Sequence, residues 1–430
     1  MRQLRFGEKQ FKEKLAAFAG NAVPPGSIRG TVAEILSAVA QNGDQAVLEY
    51  TRKFDRADLS VADIRVAESE LKGALRSLSK ENKTAFRESI AAVEEFHKPT
   101  LPKSWQSRNR HGAIVGERYD PLTRIGLYIP GGNVPLVSTV IMTAVLAKVA
   151  RVPEIAVATP PDAQGRINPS LLAALQMVGV REVYRMGGVQ AMAAMAYGTR
   201  TVAPVVKLFG PGNAYVMEAK RQLFGVVGVD LLPGPSELMI ISDDTANPDW
   251  VAADLLAQAE HGSGKEKLYL VVWSDRFLKK VQGSIRQQIS SRTHAEKIRK
   301  VLDDGTMVIT VSDEDQAIET ANFLAPEHLE IQTDNTLAQR IANRVVTAGA
   351  LLIGHYSPAA LGDFAAGPSH TLPTNRSGLF LSGLKISDFF RRSSILKYNQ
   401  NSIRKASPTV SAFSRMENLD AHGYSVEVRL

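Results

Sequence analysis

The spacing of hydrophobic positions changes near residue 124. Before it, apolar residues recur three and four apart, as in TVAEILSAVA and SIAAVEEF, which predicts helices across residues 31–98. After it, short apolar runs (RIGLYI, EIAVAT, EVYRM, VVKLF) each meet a glycine or proline turn and then a helical pattern. The helical segments are VSTVIMTAVLAKVA, NPSLLAALQMVG, VQAMAAMAYG and NAYVMEAKRQLFG. That alternation predicts a parallel sheet with crossover helices. A second series follows, with strands LMIISDD, KLYLVVWS, TMVITVS, HLEIQT and ALLIGH separated by helices. Two α/β units are therefore expected, at about 123–236 and 237–375, with the helices before residue 122 packed on the second. The chain after 375 reads as loop-rich and then helical near its end.

Composition narrows the chemistry more than the fold. The 430 residues, 44% hydrophobic and 22% charged, suit a soluble protein with two or three cores. The excess of 51 basic over 44 acidic residues is spread along the chain. The cluster RRSSILKYNQNSIRK (391–405) reads as a solvated surface, and no nucleic-acid partner is expected. The N-terminus has no apolar core for export, and LVSTVIMTAVLAKVA (136–150) is too short and too polar to span a membrane, so cytoplasm is expected. Cysteine is absent. This excludes disulfides, iron–sulfur clusters, thiolate zinc and any thiohemiacetal on a protein sulfur.

Several stretches could carry chemistry. LAPEHLEI (324–331) places Glu327 and His328 in the turn before a strand, where both side chains can reach one cavity. YIPGGN (128–133), MGGVQ (186–190) and FGPGN (209–213) put glycine turns after strands of the first unit, where backbone can approach a nucleotide or anion. The G-x-G-x-x-G fingerprint is missing, so an ordinary dinucleotide site is not indicated. Gln258 and His261 lie three apart at a helix end, and Asp363, His370 and His422 lie further on. Gln258, His261, Asp363 and His422 would make an all-nitrogen-and-oxygen zinc shell, the only kind this composition permits. Whether three separate segments converge is left to the fold. His97, His111, His294 and His355 read as structural.

Taken together, RIGLYIPGGNVPLVSTVIM, FGPGNAYVMEAKRQ, LPGPSELMIISD, DLLAQAEHG, PEHLEI, GDFAAGPSHTLPT and the terminal E-x-L-x-A-H resemble the histidinol dehydrogenase family, in the family's order and across nearly the whole chain. The resemblance implies an α/β protein with two incomplete Rossmann-like parallel-sheet domains and small N- and C-terminal extensions. The expected division is 1–30, then 31–122 with 237–375 on the zinc side, 123–236 on the NAD side, and 376–430 as a tail reaching the partner's active site. It implies a homodimer with shared sites, one zinc per subunit, and oxidation of L-histidinol through the aldehyde to L-histidine with two NAD. By motif, the zinc ligands would be Gln258, His261, Asp363 and His422. Substrate contacts would be Ser236, His328, His370 and Glu417 besides those ligands. Tyr128, Gln190 and Asn213 match NAD contacts, and Glu327 and His328 match the catalytic pair. Ala359 stands where many members have glutamate, and Pro368-Ser369 where Thr-Asn or Pro-Asn is frequent. An anionic alcohol such as a sulfonated propanediol is therefore an alternative substrate. A zinc hydrolase is a second alternative.

Overall fold

A computed structural model describes residues 1–20, 26–131, 136–261 and 264–430. In chain order its strands are β1 (Arg2–Arg5), β2 (Trp105–Arg108), β3 (Ile114–Pro121), β4 (Arg124–Tyr128), β5 (Glu154–Thr159), β6 (Glu182–Arg185), β7 (Lys207–Phe209), β8 (Gly228–Val229), β9 (Glu237–Ser242), β10 (Lys267–Val272), β11 (Thr306–Thr310), β12 (His328–Gln332), β13 (Ala350–Ile353) and β14 (Phe390–Lys397). Two sheets are wholly parallel, in the orders β6-β5-β4-β7-β8 and β1-β11-β10-β9-β12-β13. A third, β14-β3-β2, is antiparallel. No helix among the described residues is long and apolar enough to cross a membrane.

In the five-stranded sheet the chain steps from β4 outward to β5 and β6, then returns to β4's other side as β7. The order reverses between β4 and β7, and the crevice beyond their carboxyl ends is where open α/β sheets bind ligands. The helix Val137–Val149 is buried continuously from Thr139 to Ala147. A helix that is apolar all round needs cover on its outer side as well as a sheet beneath. The amphipathic helices before residue 100 supply it. Lys80–His97 packs on Val137–Val149, Glu68–Ser77 on Pro169–Val178, and Gly26–Asn42 on Gly188–Tyr197 and Ala214–Leu223. Their apolar residues, among them Val32, Ile35, Leu71 and Val93, join the cores of the five-stranded sheet.

This corrects the expectation that 31–122 packs with 237–375. The outer layer follows the sheet whose helices have no polar face. The N-terminus is also more than an extension: β1 pairs parallel with β11, and Phe11, Leu15 and Phe18 of helix Phe11–Ala19 enter the six-stranded sheet's core. In the tail, β14 pairs with β3 over eight residues, so part of the segment read as loop is strand. The basic cluster that begins in β14 is mostly exposed, as a solvated surface should be.

Candidate functional site

The acid–imidazole pair is positioned by a helix stop. Helix Glu314–Leu324 ends at Ala325, which adopts the left-handed conformation (φ 47°), and Pro326 cannot continue it. The chain then enters β12 at His328, and the Ala350 N–H donates to the Glu327 carbonyl at 2.8 Å, tying the turn to β13. Glu327 and His328 are each 6% exposed. The Glu237 N–H, at the start of β9, donates to Glu327 Oε2 at 2.7 Å, and His328 Nδ1 lies 3.2 Å from the Glu237 carbonyl. A carbonyl can only accept, so Nδ1 carries a proton and Nε2 is left as the basic nitrogen of the neutral ring. Nε2 lies 3.8 Å from Asp363 Oδ1. Burial works against charging the ring, but the Glu327 and Asp363 carboxylates and the Glu237 carbonyl outweigh it and raise His328 to about 9.

The pair opens into a cavity of about 860 Å³ whose walls include Ser236, His261, Glu327, His328, Asp363 and His370. Both α/β units line it, since helices Lys80–His97 and Val137–Val149 and Pro211 of the FGPGN loop also contribute. Six of the sequence-derived site residues thus meet in one space. The site sits at the amino ends of β9 and β12, the opposite end from the usual ligand crevice of such sheets. Helices return antiparallel to the strands they follow, which brings the last turn of Pro248–Ala259, with Gln258, to that same end. His370 Nε2 shares a hydrogen bond with Ser138 Oγ at 3.2 Å.

Gln258 is buried, and its Nε2 has no hydrogen-bond partner. The amide oxygen of Gln258, the imidazole three residues on and the Asp363 carboxylate on the cavity wall are donors of the oxygen-and-nitrogen kind that such a metal site takes. No three His, Cys, Asp or Glu side chains converge on a metal position among the described residues. Glu417 and His422 are exposed on the tail helices Gln400–Glu417 and Asp420–Glu427 and do not line the cavity. One chain therefore places His261 and Asp363 on the cavity wall, with Gln258 three residues before His261 in the last turn of its helix, and leaves the fourth expected ligand apart.

The proposed dinucleotide contacts gather on the other sheet. Tyr128 ends β4, and its hydroxyl accepts the Gly188 N–H at 3.1 Å, which links two of the glycine turns. Gln190 is buried in helix Gly188–Tyr197 with Oε1 unpartnered. Asn213 caps helix Ala214–Leu223, accepting from the N–H groups of Tyr215 and Val216. Gly210 closes the third turn at φ +112°, and a Cβ there would sit 2.1 Å from the Tyr128 carbonyl oxygen. Gly132 and Asn133 of YIPGGN, and Gly262 after His261, lie outside the described residues. Of the histidines read as structural, His97 is buried, and burial lowers it to about 4.

Some residues escaped the sequence reading. In HLEIQ, His328, Glu330 and Gln332 share one face of β12, while Leu329 and Ile331 enter the core on the other. Gln332 Nε2 donates to Asp254 at 2.7 Å and to Glu330 at 2.9 Å, and Glu330 Oε1 accepts the Ala359 N–H at 2.7 Å. Asp254 is four residues before Gln258, and Ala359 four before Asp363. This buried network therefore joins β12 to the two helices that carry the expected metal ligands. The alternation of polar residues in a strand otherwise read as core was the available signal.

Two facing parallel sheets around a cavity with a buried acid–imidazole pair define an α/β enzyme. The family profile described as histidinol dehydrogenase matches residues 22–430. Histidinol dehydrogenase 2 of Trichormus variabilis is 42% identical, covering 93% of this chain and 92% of that protein, and histidinol dehydrogenase of Brucella suis is 40% identical over 99% of both. The crystal structure of histidinol dehydrogenase from Elizabethkingia anophelis superposes with a TM-score of 0.94 at 32% identity, covering 100% of this chain and 98% of that one. The chain belongs to the histidinol dehydrogenase family and is an oxidoreductase. That membership sets the hydrolase reading aside.

Proposed function

We propose that the protein oxidises L-histidinol through L-histidinal to L-histidine, with NAD as oxidant and one zinc per subunit, as the closing steps of histidine biosynthesis in the cytoplasm. The observation that carries this reading is the Glu327–His328 pair, with His328 Nε2 left basic in a cavity that both sheets line. The family names of the relatives supply the substrate. When bound, zinc would hold the substrate's nitrogens through Gln258, His261, Asp363 and His422, and NAD, held by Tyr128, Gln190 and Asn213, would accept hydride.

The chain's own residues do the rest. In its neutral form His328 takes the hydroxyl proton at Nε2 while the Glu237 carbonyl, accepting from Nδ1, keeps the ring from turning. Asp363 is one of the groups holding His328 protonated, so neutralising that carboxylate would move the imidazole toward the range in which it accepts a proton at neutral pH. Glu327, anchored by a backbone N–H, is placed to activate the water that hydrates the aldehyde. Ser236 and His370 contact the substrate from the cavity wall, and Glu417 and His422 come from a second subunit. Their exposure, together with the exposed Phe413, Met416 and Tyr424 on the same two helices, supports a homodimer that buries this tail.

The test is NADH release with L-histidinol as substrate, expected at two NADH per histidine formed and lost on chelation of the metal. Full turnover in chelator would refute the metal, and activity with dihydroxypropanesulfonate but not histidinol would refute the substrate.

A further inference from the structure

The outer helices Glu68–Ser77 and Lys80–His97 are joined through Leu78 and Ser79 but rest on different inner helices, Pro169–Val178 and Val137–Val149. They leave between them a groove of about 840 Å³, floored by Leu75, Ile90 and Met177, a size that suits a small-molecule ligand. Its walls are basic. Lys72 and Arg76 stand one helical turn apart on one side, and Lys83 and Arg87 one turn apart on the other. Like charges so spaced destabilise a helix, and here both helices turn theirs to the same space. Little on the protein offsets them. Lys72 meets Glu68 at 2.7 Å, but both are more than half exposed and such a pair is weak. Glu94, the carboxylate on the groove wall, is held by Lys98 at 3.0 Å. Lys83 Nζ donates to the Arg76 carbonyl at 3.2 Å, which draws its ammonium across the groove. Among the described residues, the Arg76 and Arg87 side chains make no hydrogen bond or ion pair. Arginines on other helices find carboxylates, as Arg52 does with Asp58 and Arg340 with Glu314.

The other face of the same helix belongs to a different space. Ala85, Ser89 and Ala92 of Lys80–His97 line the cavity that holds His328, while Lys83, Arg87, Ile90 and Glu94 lie on the groove side, as the helical period requires. Among the described residues, no glycine turn of the five-stranded sheet borders the groove. We propose that this groove is a second ligand site, separate from the catalytic cavity, and that it takes a nucleoside triphosphate. Guanidinium forks on both walls match phosphate oxygens, the two ammonium groups add charge, and the apolar floor gives a flat base a surface to lie on. A ligand there bridges two helices, one of which also walls the catalytic cavity. The assignment does not rest on the reaction proposed above.

Titration calorimetry of the full chain with magnesium ATP tests this, in low salt and with NAD present so that a dinucleotide site is already filled. ATP should bind at one site, with an affinity that falls as salt rises. The double change Arg76→Ala with Arg87→Ala should weaken it by about ten-fold or more, the scale of lost hydrogen bonds to a charged group, while Arg340→Ala should leave it unchanged. Inorganic triphosphate should bind more weakly than ATP. ATP binding that survives the double change in folded protein overturns the site, and so does an equal loss in Arg340→Ala, which would mark attraction to charge in general. Triphosphate binding as tightly as ATP overturns the nucleoside assignment, and no ATP binding overturns both. If the double variant does not fold, photo-crosslinking of an azido-adenine ATP analogue to unaltered protein decides. Label confined to residues outside 68–97 and 169–178 overturns the site.

Discussion

Replacing Lys220 with methionine should open the FGPGN turn, and the structure sets the size of the effect. Lys220 is fully buried in helix Ala214–Leu223, with Nζ 2.5 Å from Asp230 Oδ1, 3.3 Å from the Leu231 carbonyl and hydrogen-bonded to the Gly210 carbonyl. The other Asp230 oxygen accepts the Gly210 N–H at 2.8 Å. One ion pair thus holds both polar groups of the residue that turns the chain beside Tyr128. Lys220→Met would leave the Asp230 carboxylate buried with a single N–H, and two carbonyls without their ammonium. Breaking a buried pair from one side costs about 3–5 kcal/mol. An apolar replacement of both partners (Lys220→Met with Asp230→Leu) should recover part of this, because it leaves unsatisfied backbone groups at about 1–3 kcal/mol each but no lone charge. Urea unfolding would read the global loss, and hydrogen exchange of the segment around Gly210 the local one. A local cost of about 4 kcal/mol would speed exchange there by roughly a thousand-fold. Stability within about 1 kcal/mol of the parent, with unchanged exchange at Gly210, would refute the clamp.

Three further outcomes follow from the site. His328→Asn should abolish oxidation from both alcohol and aldehyde, by about 10² to 10⁴ in rate, while Glu327→Gln should hurt the aldehyde step at least as much as the alcohol step; separate stopped-flow assays of the two steps check this, and damage confined to the alcohol step would undo the assignment. Inactive His328→Ala and His422→Ala proteins, unfolded together and re-associated, should regain about a quarter of parental activity, because half the dimers are mixed and each mixed dimer has one intact site; no recovery after verified subunit exchange would reject the shared site. Burial, aided by the nearby Glu327 charge, raises Glu237 to about 8, so between the ordinary glutamate range near 4.3 and pH 8 the folded state holds a proton that the unfolded chain releases, and stability falls as pH rises through that window. Glu237→Gln should therefore gain stability relative to the parent as pH rises from 5 to 8 in thermal melts, and a difference independent of pH would contradict this.

The parallel sheets were readable because β4, β5, β9 and β10 are apolar runs punctuated by turns, and the glycine turns lie at the carboxyl ends where the period change implied. The packing of the first hundred residues was misread for want of one inference. VSTVIMTAVLAKV has no polar face, so something must cover its outside, and the amphipathic segment nearest in sequence was available to do it. β1 and β14 were missed because RQLR and FRRSSILK carry too many charges to read as strands. Edge strands that show one side to water can keep them. The acid–imidazole pair was legible in PEHLEI. The residues that hold it were not, since Glu237 acts through its backbone and Asp254, Glu330 and Gln332 act through neighbours distant in sequence.

The two sheets meet the cavity by opposite ends, and this has a chemical consequence. The five-stranded sheet presents its carboxyl ends, where loops and helix N-termini favour an anionic nucleotide. The six-stranded sheet presents its amino ends, where the chain arrives from helices and turns. There a residue just before a strand can bond through its backbone to the neighbouring strand while its side chain faces the cavity. Glu327 does this: its carbonyl is tied to Ala350, and its carboxylate is fixed by the Glu237 N–H. A base held this way needs no flexible loop to bring it into position. Pro211 on one side and His328 on the other border the same space, so a substrate between them faces the FGPGN loop and a fixed base at once. The Asp254–Glu330–Gln332 network lies behind that base and bonds directly to the helix of Asp363, so a change at Gln332 should shift the helices that carry Gln258 and Asp363 while leaving the turns of the five-stranded sheet in place.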